Sequence, residues 1–113
     1  MDMASLARKG EEGPLGEWNR FVTAYVRSGL PDLTNRQMAI LLTVCTDKGP
    51  HTVRGLAAIL DVSKPVITRA LNKLAQLGYL RRQRDSSDRR NVFVAPTEKG
   101  AQFLEQIGEF GGE

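Results

Sequence analysis

The sequence predicts a mainly α-helical domain that carries one small β-hairpin, an α+β fold. Apolar residues recur at three- and four-residue intervals in four successive segments and again near the end of the chain, which is the period of amphipathic helices. Between residues 79 and 95 the period falls to two, and a polar loop interrupts this stretch, as in a hairpin. The predicted order of elements is α-α-α-α-β-β-α.

The composition is that of one globular domain. Of the 113 residues, 41% are hydrophobic and 26% charged, an ordinary balance. No apolar run approaches the ~20 residues of a membrane helix, and the first residues lack the apolar stretch of a signal peptide, so we expect a cytoplasmic protein with no membrane partner. The single cysteine and single histidine exclude an internal disulfide and a multi-cysteine metal site. We expect neither a metal nor a cofactor.

The first helix is predicted from Glu17 to Arg27. It follows a flexible arm at residues 1–16, which is rich in glycine and poor in large apolar side chains, and the folded domain then covers residues 17–113. The helix carries one apolar stripe, spaced as i, i+3, i+4, i+7 and i+8. Its members are Trp18, Phe21, Val22, Tyr25 and Val26.

Helix 2 begins at Thr34, because Gln37 stands three residues later and the two side chains can form a capping box. Its predicted inner face consists of Met38, Leu41, Leu42 and Cys45. A cysteine at such a position is either a redox sensor or an inert core residue, and the apolar face favours the inert role.

Helices 3 and 4 are predicted within about residues 52–77 and are joined by only two residues. Thr52 caps the first helix and Ser63 caps the second. Gly78 supplies the left-handed conformation that ends helix 4. The inner face of helix 4 comprises Ile67, Ala70, Leu71, Leu74 and Leu77. Two helices so closely joined predict a helix-turn-helix.

A hairpin and a last helix follow. Strands at Tyr79–Arg84 and Asn91–Ala95 flank a polar loop and form a wing over about residues 79–95. Pro96 closes the second strand, and Thr97 caps the final helix. The inner face of that helix is predicted to hold Ala101, Leu104 and Ile107. A helix-turn-helix followed at once by such a hairpin is a winged helix-turn-helix.

The charge distribution indicates a surface that binds a polyanion. The net charge of the chain is +3, but residues 64–91 alone carry +6, residues 1–63 sum to zero and residues 92–113 carry −3. A basic centre beside neutral and acidic segments is the pattern of a face that binds nucleic acid.

Helix 4 and the wing hold the candidate DNA-binding residues. Outward arginine and asparagine side chains can read guanine and adenine edges in the major groove, and a threonine methyl can contact thymine. Arginines at a wing tip can enter the minor groove, where a neighbouring carboxylate can orient them. The candidates are Ser63, Lys64, Pro65, Thr68, Arg69, Asn72, Lys73, Arg84, Asp88, Arg89 and Arg90.

Each of these two elements alone has a simpler interpretation. An amphipathic helix ordinarily keeps its polar face in solvent, and a polar hairpin tip is often no more than a turn. The combination of a capped helix-turn-helix with a basic hairpin favours double-stranded DNA as the partner.

Several short motifs resemble those of the multiple-antibiotic-resistance regulator (MarR) family, over about residues 30–105. They are Leu33-Thr34-x-x-Gln37, Leu56-Ala57, Val62-Ser63, Leu74-x-x-Leu77-Gly78-Tyr79-Leu80-x-Arg82, and Asp88-Arg89-Arg90 leading to Thr97-x-x-Gly100. The resemblance implies a transcription regulator that binds inverted-repeat DNA as a homodimer. It places the family's DNA contacts on Pro65, Thr68, Arg69, Asp88 and Arg90. It also implies a further long helix, whereas this sequence ends sixteen residues after Thr97, which leaves the usual dimer and a small-molecule effector open.

The function that fits these observations is sequence-specific transcription regulation, with helix 4 in the major groove, the wing at the minor groove and no catalysis. The alternative is a winged-helix adaptor that binds protein within a nucleoprotein complex. An adaptor should present an apolar helix 4, whereas Lys64, Thr68 and Arg69 are not apolar. A third function class, an enzyme, is the least favoured, because the chain shows no Ser/His/Asp grouping, phosphate loop or carboxylate pair.

We expect a homodimer formed through helix 1 and the C-terminal helix. The stripe of helix 1, together with Phe103, Leu104 and Ile107, offers more apolar surface than so small a domain can hide, and exposed apolar patches commonly mark an interface. Two-fold dimers are the commonest assemblies.

Overall fold

The computed structural model describes residues 13–111, a range that contains five α-helices and a three-stranded sheet. The helices are α1 (Pro14–Arg27), α2 (Asn35–Thr46), α3 (Val53–Leu60), α4 (Lys64–Gln76) and α5 (Glu98–Gly108), with a 3₁₀ turn at Glu109–Gly111. The strands are β1 (His51–Thr52), β2 (Leu80–Arg84) and β3 (Val92–Pro96). The predicted helical fold with a wing is confirmed. None of the helices in this range is both long and apolar enough to cross a membrane.

The chain divides into two compact units. Within the described residues, the first comprises residues 13–32 and 105–111, and the second comprises residues 33–104. In the first unit, the hydroxyl of Tyr25 donates to the carbonyl oxygen of Pro31 at 2.6 Å, and this ring is buried. The second unit holds the helix-turn-helix and the wing.

Helix α1 begins three residues earlier than predicted. Gly13 precedes it and Pro14 is its first residue. Proline fits there because the first N–H groups of a helix have no partner inside the helix. Residues 14–16 therefore belong to the helix and not to the predicted arm, whose residues 1–12 lie outside the described range.

Helix α2 confirms the predicted cap but only part of the predicted inner face. The backbone N–H of Gln37 donates to Thr34 Oγ1 at 3.1 Å, and the backbone N–H of Thr34 donates to Gln37 Oε1 at 2.9 Å. The buried side chains are Ile40, Leu41 and Val44, whereas Leu42 is 43% exposed. The helix has neighbouring apolar stripes, so its periodicity fits either one, and packing in the folded domain decides which is buried.

The turn between α3 and α4 forms as predicted, but Ser63 caps α4 with its backbone alone. Its carbonyl oxygen accepts from the N–H groups of Val66 and Ile67, at 3.1 and 3.3 Å, and its hydroxyl makes no capping bond. A capping side chain bonds to the second or third N–H of its helix. Here the second residue is Pro65, which has no N–H, and the third is Val66, whose N–H is already used. The predicted side-chain cap is therefore wrong.

Helix α4 buries the predicted apolar face and ends in a Schellman motif. Its buried side chains are Ile67, Ala70, Leu71 and Leu74, whereas Leu77, which was predicted on the same face, follows the last helical residue and is half-buried. Gly78 has φ +80°, and its N–H donates to Ala75 O at 3.0 Å, while the N–H of Tyr79 donates to Leu74 O at 2.9 Å. The left-handed glycine lets the chain leave the helix and enter β2 at once.

The sheet has the order β1-β3-β2, and both pairings are antiparallel. In the wing, Leu80 lies opposite Pro96 and Arg84 lies opposite Val92. Strand β2 begins one residue later than predicted and ends where predicted, whereas β3 is shifted by one residue and includes Pro96. Strand β1 was not predicted, because two residues are too few to show a period of two. Its Thr52 also caps α3, accepting the N–H of Gly55 at 2.9 Å.

The start of α5 is tied to the end of α4. The hydroxyl of Thr97 accepts the N–H of Gly100 at 3.0 Å, as predicted for a cap, and donates to the carbonyl oxygen of Gly78 at 2.6 Å. A Cβ on Gly100 would lie 2.9 Å from the carbonyl carbon of Tyr79 and closer still to its oxygen. The helix therefore approaches the strand so closely that only glycine fits.

The inner face of α5 differs from the prediction. Phe103 and Ile107 are buried, Leu104 is half-buried and Ala101 is exposed. The Phe103 ring stacks on Tyr79 with 4.5 Å between ring centroids. The prediction that Phe103 and Ile107 offer surface to a dimer partner is therefore wrong, because both side chains are already enclosed within the chain.

Replacing Gly100 with alanine should lower the free energy of unfolding by about 1–3 kcal/mol, since the added methyl group must push backbone apart. Gly108→Ala is the matched control on the same helix, because a Cβ at that position would meet no other atom within 4 Å and alanine favours the helical state. Urea unfolding followed by circular dichroism measures both. Equal stabilities for the two variants would contradict the close approach.

Candidate nucleic-acid interface

The predicted DNA-binding residues of α4 share one solvent-exposed side of the helix, away from its buried face. All six are exposed: Lys64, Pro65, Thr68, Arg69, Asn72 and Lys73. They form an almost wholly polar surface that includes three cations. The hydroxyl of Ser63, which is not used as a cap, stands at the start of the same helix. The structure thus brings these side chains together, and their contact with DNA stays a prediction.

The wing tip, residues 85–91, is folded around two carboxylates. Asp88 accepts three hydrogen bonds from Arg90: from the backbone N–H at 3.0 Å, from Nε at 3.2 Å and from Nη2 at 3.3 Å. Asp85 accepts from the N–H and hydroxyl of Ser87, at 2.9 and 2.7 Å. The Arg90 side chain remains 80% exposed, so Asp88 orients the guanidinium while leaving it on the surface.

The predicted contact residues Arg84 and Arg89 are linked to each other. Arg84 Nη1 donates to the carbonyl oxygen of Arg89 at 3.2 Å, and both residues are exposed. Part of the hydrogen-bonding capacity of Arg84 therefore supports the loop, while the Arg89 side chain extends from the tip.

Both wing carboxyl groups are more acidic than usual. Hydrogen bonds from the side chain and then the backbone of Ser87 lower the pKa of Asp85. Hydrogen bonds from the side chain and then the backbone of Arg90 lower the pKa of Asp88, and the charge of Arg54 contributes in the same direction. The two groups are thus held as carboxylates, and Arg54 on α3 adds positive charge near the wing.

Besides Arg54, two arginines of this surface escaped the sequence-based prediction, namely Arg82 and Arg36. Arg82 Nη1 donates to Asn72 Oδ1 at 2.7 Å, which joins the wing to α4. Strand alternation could have indicated this, because Arg82 shares a side of β2 with Arg84. Arg36 lies with Arg69 along a shallow polar groove between the start of α2 and α4. Nothing in the sequence pattern brings Arg36 to α4, because that contact depends on how the helices pack.

Cys45 lies outside this interface and is half-buried. Burial raises the pKa of its thiol, so the reactive thiolate form is disfavoured near neutral pH, in keeping with the inert role. Within residues 13–111 no group of three or more histidine, cysteine or acidic side chains is placed to hold a metal ion.

A helix-turn-helix with a basic hairpin at its end defines the winged-helix class of DNA-binding domains. The MarR family model matches residues 31–91, more than half of the chain. The chain belongs to the MarR family of transcriptional regulators.

Known relatives agree with this assignment. The uncharacterized HTH-type transcriptional regulator YwhA of Bacillus subtilis is 30% identical over 80 residues, covering 71% of this chain and 58% of YwhA. The transcriptional regulator Tm0710 from Thermotoga maritima is 27% identical with a TM-score of 0.71, covering 96% of this chain and 73% of that one. Reduced AbfR bound to DNA is 26% identical with a TM-score of 0.65, covering 84% and 64%; AbfR is from Staphylococcus epidermidis. The chain spans about three fifths of the length of the curated relatives it matches.

The carboxyl groups of Asp85 and Asp88 should titrate below 3.8, the ordinary aspartate pKa. Since their pKa is lowered by folding, the order they give the wing is present above pH 3.8 and is lost as the pH falls through the lowered values. Carboxyl ¹³C NMR measures each pKa. Arg90→Ala should raise the pKa of Asp88 toward 3.8 and leave that of Asp85 low, because Ser87 is its main partner. Midpoints at 3.8 or above in the unaltered protein would contradict the described loop.

Proposed function

We propose that the chain is a sequence-specific regulator of transcription that binds double-stranded DNA, with α4 in the major groove and the wing at the minor groove. The observation that carries this proposal is the exposed polar side of α4 beside an ordered basic wing. AbfR, a structural relative, has been solved bound to DNA. The proposal includes a cytoplasmic location, where chromosomal DNA is found in bacteria, and assigns the chain no catalytic activity.

Charge supports DNA as the partner. Residues 64–91 carry +6. Two cations from outside that segment add to this charge: Arg36 lies beside Arg69, and Arg54 lowers the pKa of Asp88. Each cation that neutralises a phosphate releases a condensed counterion, which favours binding. The adaptor alternative is not favoured, because the outward side of α4 lacks the apolar side chains that a protein partner would cover.

The candidate residues divide into reading residues, which contact base edges, and anchoring residues, which contact phosphates or the minor groove. Thr68 and Arg69 lie on the first two turns of α4, where a helix in the major groove reaches base edges. Lys64 and Lys73 suit phosphates on either side, and Ser63 offers a hydroxyl to a phosphate at the helix start. At the wing, Arg89 and Arg90 suit the minor groove.

The proposed homodimer uses α1. Four apolar side chains, at spacings of three, four and four residues, form a stripe on its exposed side: Leu15 at 72% exposed, Trp18 at 62%, Val22 at 38% and Val26 at 65%. An exposed apolar stripe of this kind suits pairing with a second copy across a two-fold axis. The buried residues Phe103 and Ile107 take no part in it.

Binding should weaken steeply with salt, with a slope of about −0.9 in log K against log[salt] for each phosphate contact. Fluorescence anisotropy with a labelled duplex between 50 and 200 mM KCl, a range of about fourfold, measures the slope. A slope near zero would rule out DNA as the partner.

Arg69→Ala should weaken binding to a selected cognate duplex by about 1–3 kcal/mol and relax the base preference at one position. Arg90→Ala, the matched control with the same charge change, should weaken cognate and unrelated A·T-rich duplexes about equally. Titration of both duplexes with both variants measures the difference. Identical behaviour of the two variants would refute the division into reading and anchoring residues.

The double variant Trp18→Glu, Val26→Glu should be monomeric at micromolar concentration, whereas the unaltered chain should be a dimer. The double variant Asn19→Glu, Thr23→Glu adds the same charge on another exposed side of α1 and should remain dimeric. Multi-angle light scattering measures the mass of each. A monomeric unaltered chain would refute the dimer and leave the DNA-binding proposal standing.

A further inference from the structure

A side-chain hydrogen bond of Arg82 joins the wing to α4. The Nη1 atom of Arg82 donates to Oδ1 of Asn72 at 2.7 Å, across ten residues of chain. The same side chain lines a concavity between α4 and the wing together with Thr68 and Leu71. Arg82 therefore lies beside α4 near Thr68 and Asn72, two of the exposed residues proposed to contact DNA.

The chemistry of this pair fixes the orientation of the Asn72 amide. A guanidinium has five N–H donors and no acceptor, so the Asn72 atom that it contacts must be the amide oxygen. The amide nitrogen, which carries two N–H groups, is then the part of Asn72 left to face another molecule. Further N–H groups of Arg82 lie beside it.

We propose that Arg82 is a positioning residue that makes Asn72 select guanine over adenine, an inference that rests on the proposed function. An asparagine reads adenine with both halves of its amide, accepting from N6 and donating to N7. Here Arg82 occupies one of the two lone pairs of the oxygen and sets further N–H groups beside it, so the pair presents mainly donors to the groove. The major-groove edge of guanine offers two acceptors, N7 and O6, whereas that of adenine offers one acceptor beside a donor.

Removing the guanidinium should change the base that is read. In Arg82→Met the Asn72 amide is released and can engage both N6 and N7 of adenine. Selection of bound sequences from random duplexes should give about a tenfold preference for guanine over adenine at one position with the unaltered chain, which lies within the range of a good base contact. Arg82→Met should lose that preference or reverse it.

Arg81→Met is the matched control. Arg81 is the neighbouring exposed residue of β2, so its side chain lies on the opposite side of the strand, and the variant loses the same charge. It should weaken binding through its charge and keep the guanine preference. Asn72→Ala should abolish the preference at the same position, and in that background Arg82→Met should have no further effect on it.

The contact itself can be measured without DNA. The side-chain amide ¹⁵N–¹H signals of Asn72 should shift in Arg82→Met and stay in place in Arg81→Met, and unchanged melting curves show that both variants fold. If the unaltered chain does not bind DNA in a salt-dependent manner, the proposed function fails. If it selects a sequence but Arg82→Met and Arg81→Met select that same sequence, or the Asn72 signals do not respond, the inference about Arg82 is overturned while the proposed function stands.

Discussion

The structure of residues 33–104 depends on the close approach of α5 to Tyr79 at Gly100. There the helix start has no side chain, and Thr97 both caps α5 and donates to Gly78. Three features thus meet within a few residues: the left-handed end of α4, the base of the hairpin and the first turn of α5. Because interiors are close-packed, a contact without spare volume holds its partners at a fixed separation. The hairpin therefore leaves α4 in one direction, which sets where the wing lies beside that helix.

Toward the wing tip, polar contacts and not close packing hold the chain in position. Beyond the buried Leu80, strand β2 carries exposed side chains, whereas Val94 of β3 is buried, so burial holds the base of the hairpin and contributes little to its outer part. Order comes instead from Asp88 holding Arg90, Asp85 holding Ser87, and Arg84 bonding the backbone of Arg89. Such exposed pairs add little stability. Their effect is to limit the directions that the arginine side chains adopt. The carboxylates of Asp85 and Asp88 also reduce the attraction of the wing for a polyanion.

The sequence was sufficient to predict elements whose signals are local. The capping box of Thr34, the inner face of α4 and the glycine at its end each depend on residues within one or two turns, and each is confirmed. Features that depend on packing were missed or misplaced. The inner faces of α2 and α5 could not be chosen from periodicity alone, because tertiary contacts select among neighbouring apolar stripes, and Phe103 is enclosed by Tyr79. Strand β1 and the placement of Arg36 likewise depend on distant chain segments. Of the site, the outward residues of α4 were predicted and the link from Arg82 was not.

Three departures from local rules lie along α4 and the wing. A serine before a helix ordinarily caps it with its side chain, yet Pro65 removes the N–H that Ser63 would bond, and the hydroxyl stays exposed at the start of α4. Acidic residues are ordinarily unfavourable beside a surface for phosphate, yet Asp85 and Asp88 sit at the wing tip. An exposed asparagine amide ordinarily bonds to water, yet the Asn72 oxygen accepts from Arg82 of the wing. Where folding is the only requirement, a sequence follows local structural preferences such as helix capping. Departures from those preferences therefore concentrate at sites where function imposes a further requirement. Their common position along α4 and the wing supports the proposed interface.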